Sequence, residues 1–281
     1  MAMTITIRFL KHHWYLLLKL IFVTLVCVNN TTANAVELIL AYEDKEQPPY
    51  YMGNSLLVPD DKPGVSVEII KMLADMIDGL EIKLERCPWK RCLHSLKYNT
   101  VNGIFNASYK KSRLELGRYP TTNGIFDGPV DESKRITLIS YSFYVLKNSD
   151  FKWDGHAIKN VKNRIIGAPA GYSVVNDLKK KGMIVYESHS SKSNLERLIL
   201  KRVDAVALQD VTADNILSSN PSLLAKIEKR YPPIATKPYY LMLSHEFVEQ
   251  YPKLAKRIWD TIKIIRETKF DEIALKYADT N

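Results

Sequence analysis

The stretch Val101–Arg113, VNGIFNASYKKSR, decides the reading of this chain. An apolar strand, Val101 to Phe105, runs directly into the small polar residues Asn106 and Ser108 and then into a single arginine, Arg113. That order suits carboxylate capture, because a planar guanidinium can form two parallel charge-assisted hydrogen bonds to one anion. A counterpart stands further on: VDAVALQD, Val203–Asp210, is another apolar strand, and it ends in an acid. One segment offers a cation and the other an anion, as a zwitterion held between two similar halves would require.

Around these segments, strand-like and helix-like runs alternate, which predicts α/β layers with largely parallel sheets. In the first half the strands are expected at Leu38–Tyr42, Glu81–Arg86 and Val101–Phe105, and the helices at Val65–Leu80 and Trp89–Tyr98. Within the first helix Ile69, Met72, Leu73, Met76, Ile77 and Leu80 recur at helical spacing. The second half restarts the programme with strands at Arg164–Ala168, Met183–Tyr186 and Val203–Leu208. Its helices are expected at Ser173–Lys181 and Leu195–Arg202, the latter preceded by Ser193 and Glu196 at capping-box spacing. Between the halves Asp127–Ser140 reads as a polar loop and Tyr141–Leu146 as a crossover strand. The chain is therefore expected to cross near Ser142–Lys147 and to return near Lys237–Leu241, leaving two terminal helices in Phe247–Tyr277 to cover the first half.

The N-terminus reads as an export address. Arg8, Lys11 and Lys19 precede an apolar run from Leu20 to Val28, and Ala33-Asn34-Ala35 supplies small residues for cleavage, so residues 1–35 are expected to leave as a signal peptide. The rival reading, a retained anchor, meets an apolar run short of the ~20 residues a spanning helix needs. Cleavage lowers the formal charge from +9 to +6, by loss of those three cations. The remaining basic residues are dispersed among acids, which reads as a solvated surface and not as a nucleic-acid interface. Cys27 leaves with the signal, so Cys87 and Cys92 remain as a close pair that an oxidising compartment would join; the other reading is two unpaired side chains in a core. The six histidines, at 12, 13, 94, 156, 189 and 245, do not stand at ligand spacing from the cysteines, so neither metal nor cofactor is expected.

These segments, in their order and spacing, resemble the periplasmic solute-binding proteins of the polar amino-acid uptake family, extracellular solute-binding protein family 3. The likeness includes Gln47-Pro48-Pro49-Tyr50, Pro63-Gly64 with Glu68, Pro88-Trp89-Lys90-Arg91, Ala170-Gly171-Tyr172-Ser173 and the closing Ile273–Tyr277. It implies a type II periplasmic-binding-protein fold: two lobes, each a mixed, mostly parallel sheet flanked by helices, joined by two hinge crossovers. Lobe 1 would be residues 36–142 plus 241–281 and lobe 2 residues 143–240. The resemblance implies that Arg113 clamps a ligand α-carboxylate with Ser108 and Ser173, and that Asp210 takes the α-amino group with help from Asn106. Tyr50 and Trp89 would wall the apolar part, with Tyr109 and Tyr172 behind them, and Glu43 would meet the ligand side chain. From the residues alone, Arg113 could be a surface arginine and Asp210 a helix cap. The chain departs from the family in Lys110-Lys111-Ser112-Arg113, where a Thr-x-x-Arg turn is usual, and in Asn102, where an aspartate is usual. The expected function is a non-enzymatic, monomeric protein that carries a small polar solute, an amino acid by this reading, to an inner-membrane ABC permease. The alternatives are a ligand sensor for a membrane receptor and a cyclohexadienyl dehydratase-like lyase.

Overall fold

A computed structural model describes residues 35–159 and 163–277; the export signal read at the N-terminus lies outside them. The first half runs β1 (Val36–Glu43), α1 (Val65–Met76), β2 (Leu80–Cys87), α2 (Trp89–Lys97), β3 (Gly103–Ser108), then a short 3-10 turn over Lys111–Glu115. After it come β4 (Thr137–Leu146) and a small hairpin of β5 (Lys152–Trp153) and β6 (Ile158–Lys159). The second half repeats the pattern as β7 (Ile165–Pro169), α3 (Ser173–Lys180), β8 (Ile184–Ser188), α4 (Ser191–Ile199) and β9 (Ala205–Gln209). It continues through α5 (Asp210–Ser218), α6 (Pro221–Leu224), β10 (Ile227–Lys229) and β11 (Ala235–Leu243) to α7 (His245–Gln250) and α8 (Pro252–Leu275).

Strand order shows the two halves to be built alike. The sheet reads β2-β1-β3-β11-β4-β9-β7-β8, so each half places its first strand between its second and third. β1 is parallel to β3, and β7 is parallel to both β8 and β9. A matching polar device stands just before the third strand of each half. The Asn102 amide oxygen accepts from the Ile39 N–H at 2.7 Å, and the Asp204 carboxylate accepts from the Ile165 N–H at 2.7 Å. Each satisfies a backbone donor on the half's first strand, which would otherwise cost about 1–3 kcal/mol if buried without a partner. That role explains why either an amide or an acid serves at position 102.

The linking strands add antiparallel pairs to the parallel strands of each half, so the sheet is mixed, as the resemblance implied. β11 is antiparallel to β4 from Ala235 to Tyr239 and to β3 from Tyr239 to Leu243. β4 is antiparallel to β11 from Thr137 to Tyr141 and to β9 from Tyr141 to Tyr144. Partners therefore change at Tyr141 and Tyr239, whose phenols hydrogen-bond each other. β4 begins earlier than its sequence suggests: Thr137, Ile139 and Tyr141 are buried in alternation, but Thr137 and Ser140 disguise that period as polar loop. Ser142–Leu146, read as the crossing itself, already pairs with β9 and β10.

Two helix boundaries also move. α1 stops at Met76, because Ile77 is extended and Leu80 opens β2 beyond the positive-φ Gly79. α4 starts at Ser191, where Ser190 is the cap and its hydroxyl accepts from the Ser193 N–H at 3.0 Å; Ser193 lies inside the first turn instead of capping it. The second half's core gathers Tyr144, Leu195, Leu198, Val206, Leu208 and Ile227. In the first half α8 packs along α1, burying Ile258, Ile262, Ile265 and Ile273 at helical spacing. At ~2 kcal/mol or more for each buried aliphatic side chain, this face is the main source of the terminal helix's stability.

Candidate functional site

Arg113 is delivered by the 3-10 turn that follows β3, and it is 4% exposed. Its guanidinium donates to the Ser108 carbonyl at 2.7 Å, to Ser108 Oγ at 3.4 Å and, in the second half, to the Gly171 carbonyl at 3.1 Å. Its charge also lies 5.4 Å from the centre of the Trp89 ring, a cation–π separation. Among the described residues no carboxylate pairs with it. A buried cation held only by neutral acceptors is costly to maintain and gains strongly from any anion that reaches it. Gly171 makes the approach possible: its φ is +79°, and a Cβ there would stand 3.3 Å from the Trp89 ring.

Ser108 and Ser173 meet across the two halves. The Ser108 hydroxyl donates to that of Ser173 at 2.8 Å, and Lys237 on β11 donates to the same Ser173 oxygen at 3.0 Å. Tyr119 supports the cradle from behind by donating to the Ser108 carbonyl at 2.7 Å. Lys110, beside Arg113, has its pKa lowered by burial and by the Arg113 charge. Lys237, which the sequence reading did not single out, is also paired with the Asp177 carboxylate, so the uncompensated positive charge of this corner is that of Arg113.

Glu43 closes β1 and lies 6% exposed. Tyr51 donates to its Oε2 at 2.9 Å, and Tyr172 donates to the same oxygen from the second half. Burial pushes the Glu43 pKa from 4.5 to about 7; Asp44 acts in the same direction, while the two phenols and Lys45 oppose it.

Asn106 owes its aim to a bulge. Tyr240 of β11 stands opposite Ala107 but Met242 opposite Ile104, so Phe105 and Asn106 together face one residue. The extra residue is absorbed at Asn106, whose φ is +56°, a region asparagine tolerates better than most residues. Bulges of this kind re-aim side chains. Both amide atoms of Asn106 are buried without a hydrogen-bond partner, as are Trp89 Nε1 and Gln209 Oε1. Asn106, Trp89 and Gln209 line one small cavity with Glu43, Arg113 and Ser173. Its volume is about 10 Å³, close to what one water needs. Trp89 opens α2 directly after Pro88, and the bridge between Cys87 and Cys92, with Cα atoms 5.7 Å apart, ties the start of that helix to the end of β2.

Two sequence-predicted residues are placed elsewhere. Tyr50 is buried but does not line this cavity, whereas Tyr51 does. The cause is a tight turn in which the Gln47 N–H bonds the Tyr51 carbonyl at 2.8 Å, directing Tyr51 toward Glu43. Gly64 backs that turn where any Cβ would meet Tyr51 Cα at 2.4 Å. Asp210 begins α5 beside the cavity-lining Gln209, and its Oδ2 pairs with Lys229 at 3.1 Å. Its Oδ1 is buried without a hydrogen-bond partner, but Asp210 does not line the cavity that holds Arg113. Burial works against the Lys229 charge, yet its bonds to Asp214 and Asp210 prevail and its pKa is raised. Tyr109 is 39% exposed and lies edge-on to Tyr119.

A wider groove of about 500 Å³ runs between Lys45–Pro49 and the ends of α4 and α5. We place the site at the smaller cavity, because the unpartnered buried donors and acceptors converge there with an uncompensated cation. Size alone does not bind a ligand.

The sequence matches no family model and no curated protein. Among solved structures the chain is similar to the GluR0 ligand-binding core from Nostoc punctiforme in complex with (L)-glutamate, at 17% identity and a TM-score of 0.64, covering 86% of this chain and 99% of that one. It is also similar to a histidine kinase sensor domain with similarity to periplasmic binding proteins, at 15% identity and a TM-score of 0.67, covering 88% and 97%. A third is a putative binding component of an ABC transporter from Wolinella succinogenes DSM 1740 complexed with lysine, at 13% identity and a TM-score of 0.64, covering 87% and 97%. The chain has the two-lobed, periplasmic-binding-protein-like α/β fold of these structures.

Proposed function

We propose that this chain is a binding protein that captures a small polar solute carrying a carboxylate, an amino acid by the reading of its site, between its lobes and presents it to a membrane partner. Arg113 carries the proposal: it is buried, faces the cavity between the halves, and has no acidic partner among the described residues. The lobes would be residues 36–142 plus 241–281 and 143–240, boundaries that fall within two residues of the pairing changes at Tyr141 and Tyr239. A cavity of about 10 Å³ is too small for an amino acid, so entry requires the halves to part. The bonds that would break are Ser108 to Ser173, Arg113 to Gly171, Glu43 to Tyr172, and Thr212 to the Pro48 carbonyl. Two strands crossing side by side make a hinge that permits this without lateral drift.

The partner is an inner-membrane permease or a receptor, since a transporter's binding component and a sensor domain both appear among the similar structures. Export to the periplasm suits a close cysteine pair and a chain in which no described helix is long and apolar enough to cross a membrane. A thermal-shift screen of the twenty L-amino acids and common dicarboxylates, followed by calorimetry on wild type and Arg113→Ala, tests the proposal. The variant is expected to lose ~2–5 kcal/mol of binding while keeping its fold, because truncating one partner strands a buried charge. Wild-type affinity in folded Arg113→Ala would remove this arginine from the site. A second reading, a lyase on the same scaffold, has one observation in its favour, the buried Glu43 with its pKa near 7 in the same cavity. Formation of aromatic product from prephenate or arogenate would favour it.

A further inference from the structure

We infer that the ligand's ammonium group is received by Glu43, which gives up its proton as that group enters, and not by Asp210. The inference rests on reading the site as an amino-acid pocket and adds the identity of its anionic pole. Among the residues lining the cavity with Arg113, Glu43 is the one acid. Among the described residues its carboxyl bonds only phenols: Tyr51 from the first half and Tyr172 from the second both donate to Oε2.

The cations nearby are spent elsewhere. Lys45 lies 3.9 Å from Asp44, and the Arg86 guanidinium bonds the backbone carbonyls of Glu43, Gly53 and Leu57. Arg113 and Tyr239 complete the ionisable groups of the cavity, and both bond neutral partners. Asp210, by contrast, already has Lys229 at 3.1 Å. An ammonium group arriving at the free Oδ1 of Asp210 meets a carboxylate whose charge Lys229 already compensates at Oδ2, whereas one arriving at Glu43 supplies an acid that has no ion-pair partner among the described residues.

The neutral groups beside Glu43 match the remaining valence. An ammonium carries three N–H donors. Asn106 Oδ1 and Gln209 Oε1 line the same cavity as buried acceptors without partners, so that with Glu43 they make three. The carboxylate end of the ligand goes to Arg113, which leaves the complex neutral at both poles. Glu43 in the unliganded protein holds a proton through much of the neutral range, because burial raises its pKa to about 7. A neighbouring ammonium reverses that preference. The step balances as protonated Glu43 plus ligand ammonium going to the ion pair plus one proton released to buffer.

The test uses the L-amino acid that gives the largest thermal shift in the screen of twenty. Calorimetry in pairs of buffers that both hold the pH but differ in ionisation heat, MES and bis-Tris at the acid end and HEPES and Tris at the alkaline end, counts the protons released. Release should approach roughly nine-tenths of a proton at about pH 6 and fall to about one-tenth at about pH 8, below the range in which the free ligand's own amino group loses its proton, as a group of pKa near 7 requires. Glu43→Gln should abolish the release and weaken binding by tens-fold or more, while Asp210→Asn should change affinity by no more than a few-fold and leave the release intact. The desamino analogue of the same amino acid should bind wild type without releasing a proton. Binding without release at low pH, or loss of affinity in Asp210→Asn with Glu43→Gln unaffected, overturns the inference and leaves the amino-acid reading standing. A screen in which no amino acid binds overturns both.

Discussion

Replacing Glu43 by glutamine should stabilise the ligand-free protein at neutral and alkaline pH relative to its stability in acid. The carboxyl is held between two tyrosines with almost no exposure, and burial raises its pKa from 4.5 to about 7. A group whose pKa is higher in the folded than in the unfolded state contributes stability that is fully present below the unfolded value and lost as pH rises to the folded one. Here the window is about pH 4.5 to 7. A shift of this size, at 1.36 kcal/mol per unit, corresponds to about 3 kcal/mol in wild type that glutamine does not lose. The difference in unfolding free energy between the two proteins should therefore change by that amount across the window and stay level outside it. Comparing variants cancels the titration of all other groups. The assay is urea unfolding of both ligand-free proteins at half-unit steps from about pH 4 to 9, with equal m-values confirming a common unfolding reaction. For a protein of this size the same effect is roughly 6–12 °C in melting temperature. Parallel stability profiles for the two proteins would show that Glu43 titrates like an ordinary surface acid and would refute the reasoning.

Three further outcomes are expected. Arg113→Lys should recover only part of the binding lost in Arg113→Ala, because an ammonium cannot reproduce the fork that now reaches Ser108 and Gly171; calorimetry decides. Protein purified and denatured without reductant should show no titratable thiol at Cys87 or Cys92, and reduction should cost about 2 kcal/mol of stability by loop-closure scaling. Asn102→Ala and Asp204→Ala should each destabilise by ~1–3 kcal/mol in urea unfolding, because each leaves a first-strand N–H without its side-chain acceptor; Asn102→Asp should be tolerated.

Much of the architecture was legible from the chain because it is written at short range. The period of Ile69 and Leu73, the alternation in β2, and the placement of Gly79 and Gly182 after helices all act within a turn or two. The same locality placed Arg113 just past β3 and brought Cys87 near Cys92. Thr137–Ser140 escaped notice because its buried alternation is carried partly by hydroxyl residues, which burial alone distinguishes from a loop. β10 escaped because three residues, Ile227–Lys229, show no period until they pair with β4.

The amino-acid sequence by itself determined the repeated β-α-β plan, its two crossings and the residue types available for an anion. What only tertiary structure decided is which of two adjacent candidates faces the cavity: Tyr51 over Tyr50, and Gln209 over Asp210. The first choice follows from the Gln47–Tyr51 turn packed against Gly64, the second from the orientation in which β9 hands over to α5. The aim of Asn106 likewise depends on a bulge against β11, a strand more than a hundred residues away in the chain. Charge is settled at the same range: Lys229 neutralises Asp210 through folding of β10 against β4, while Arg113 and Glu43 are buried with no charged partner among the described residues. Propensity acts between neighbours, but compensation of a charge depends on every group that folding brings within a few ångströms of it.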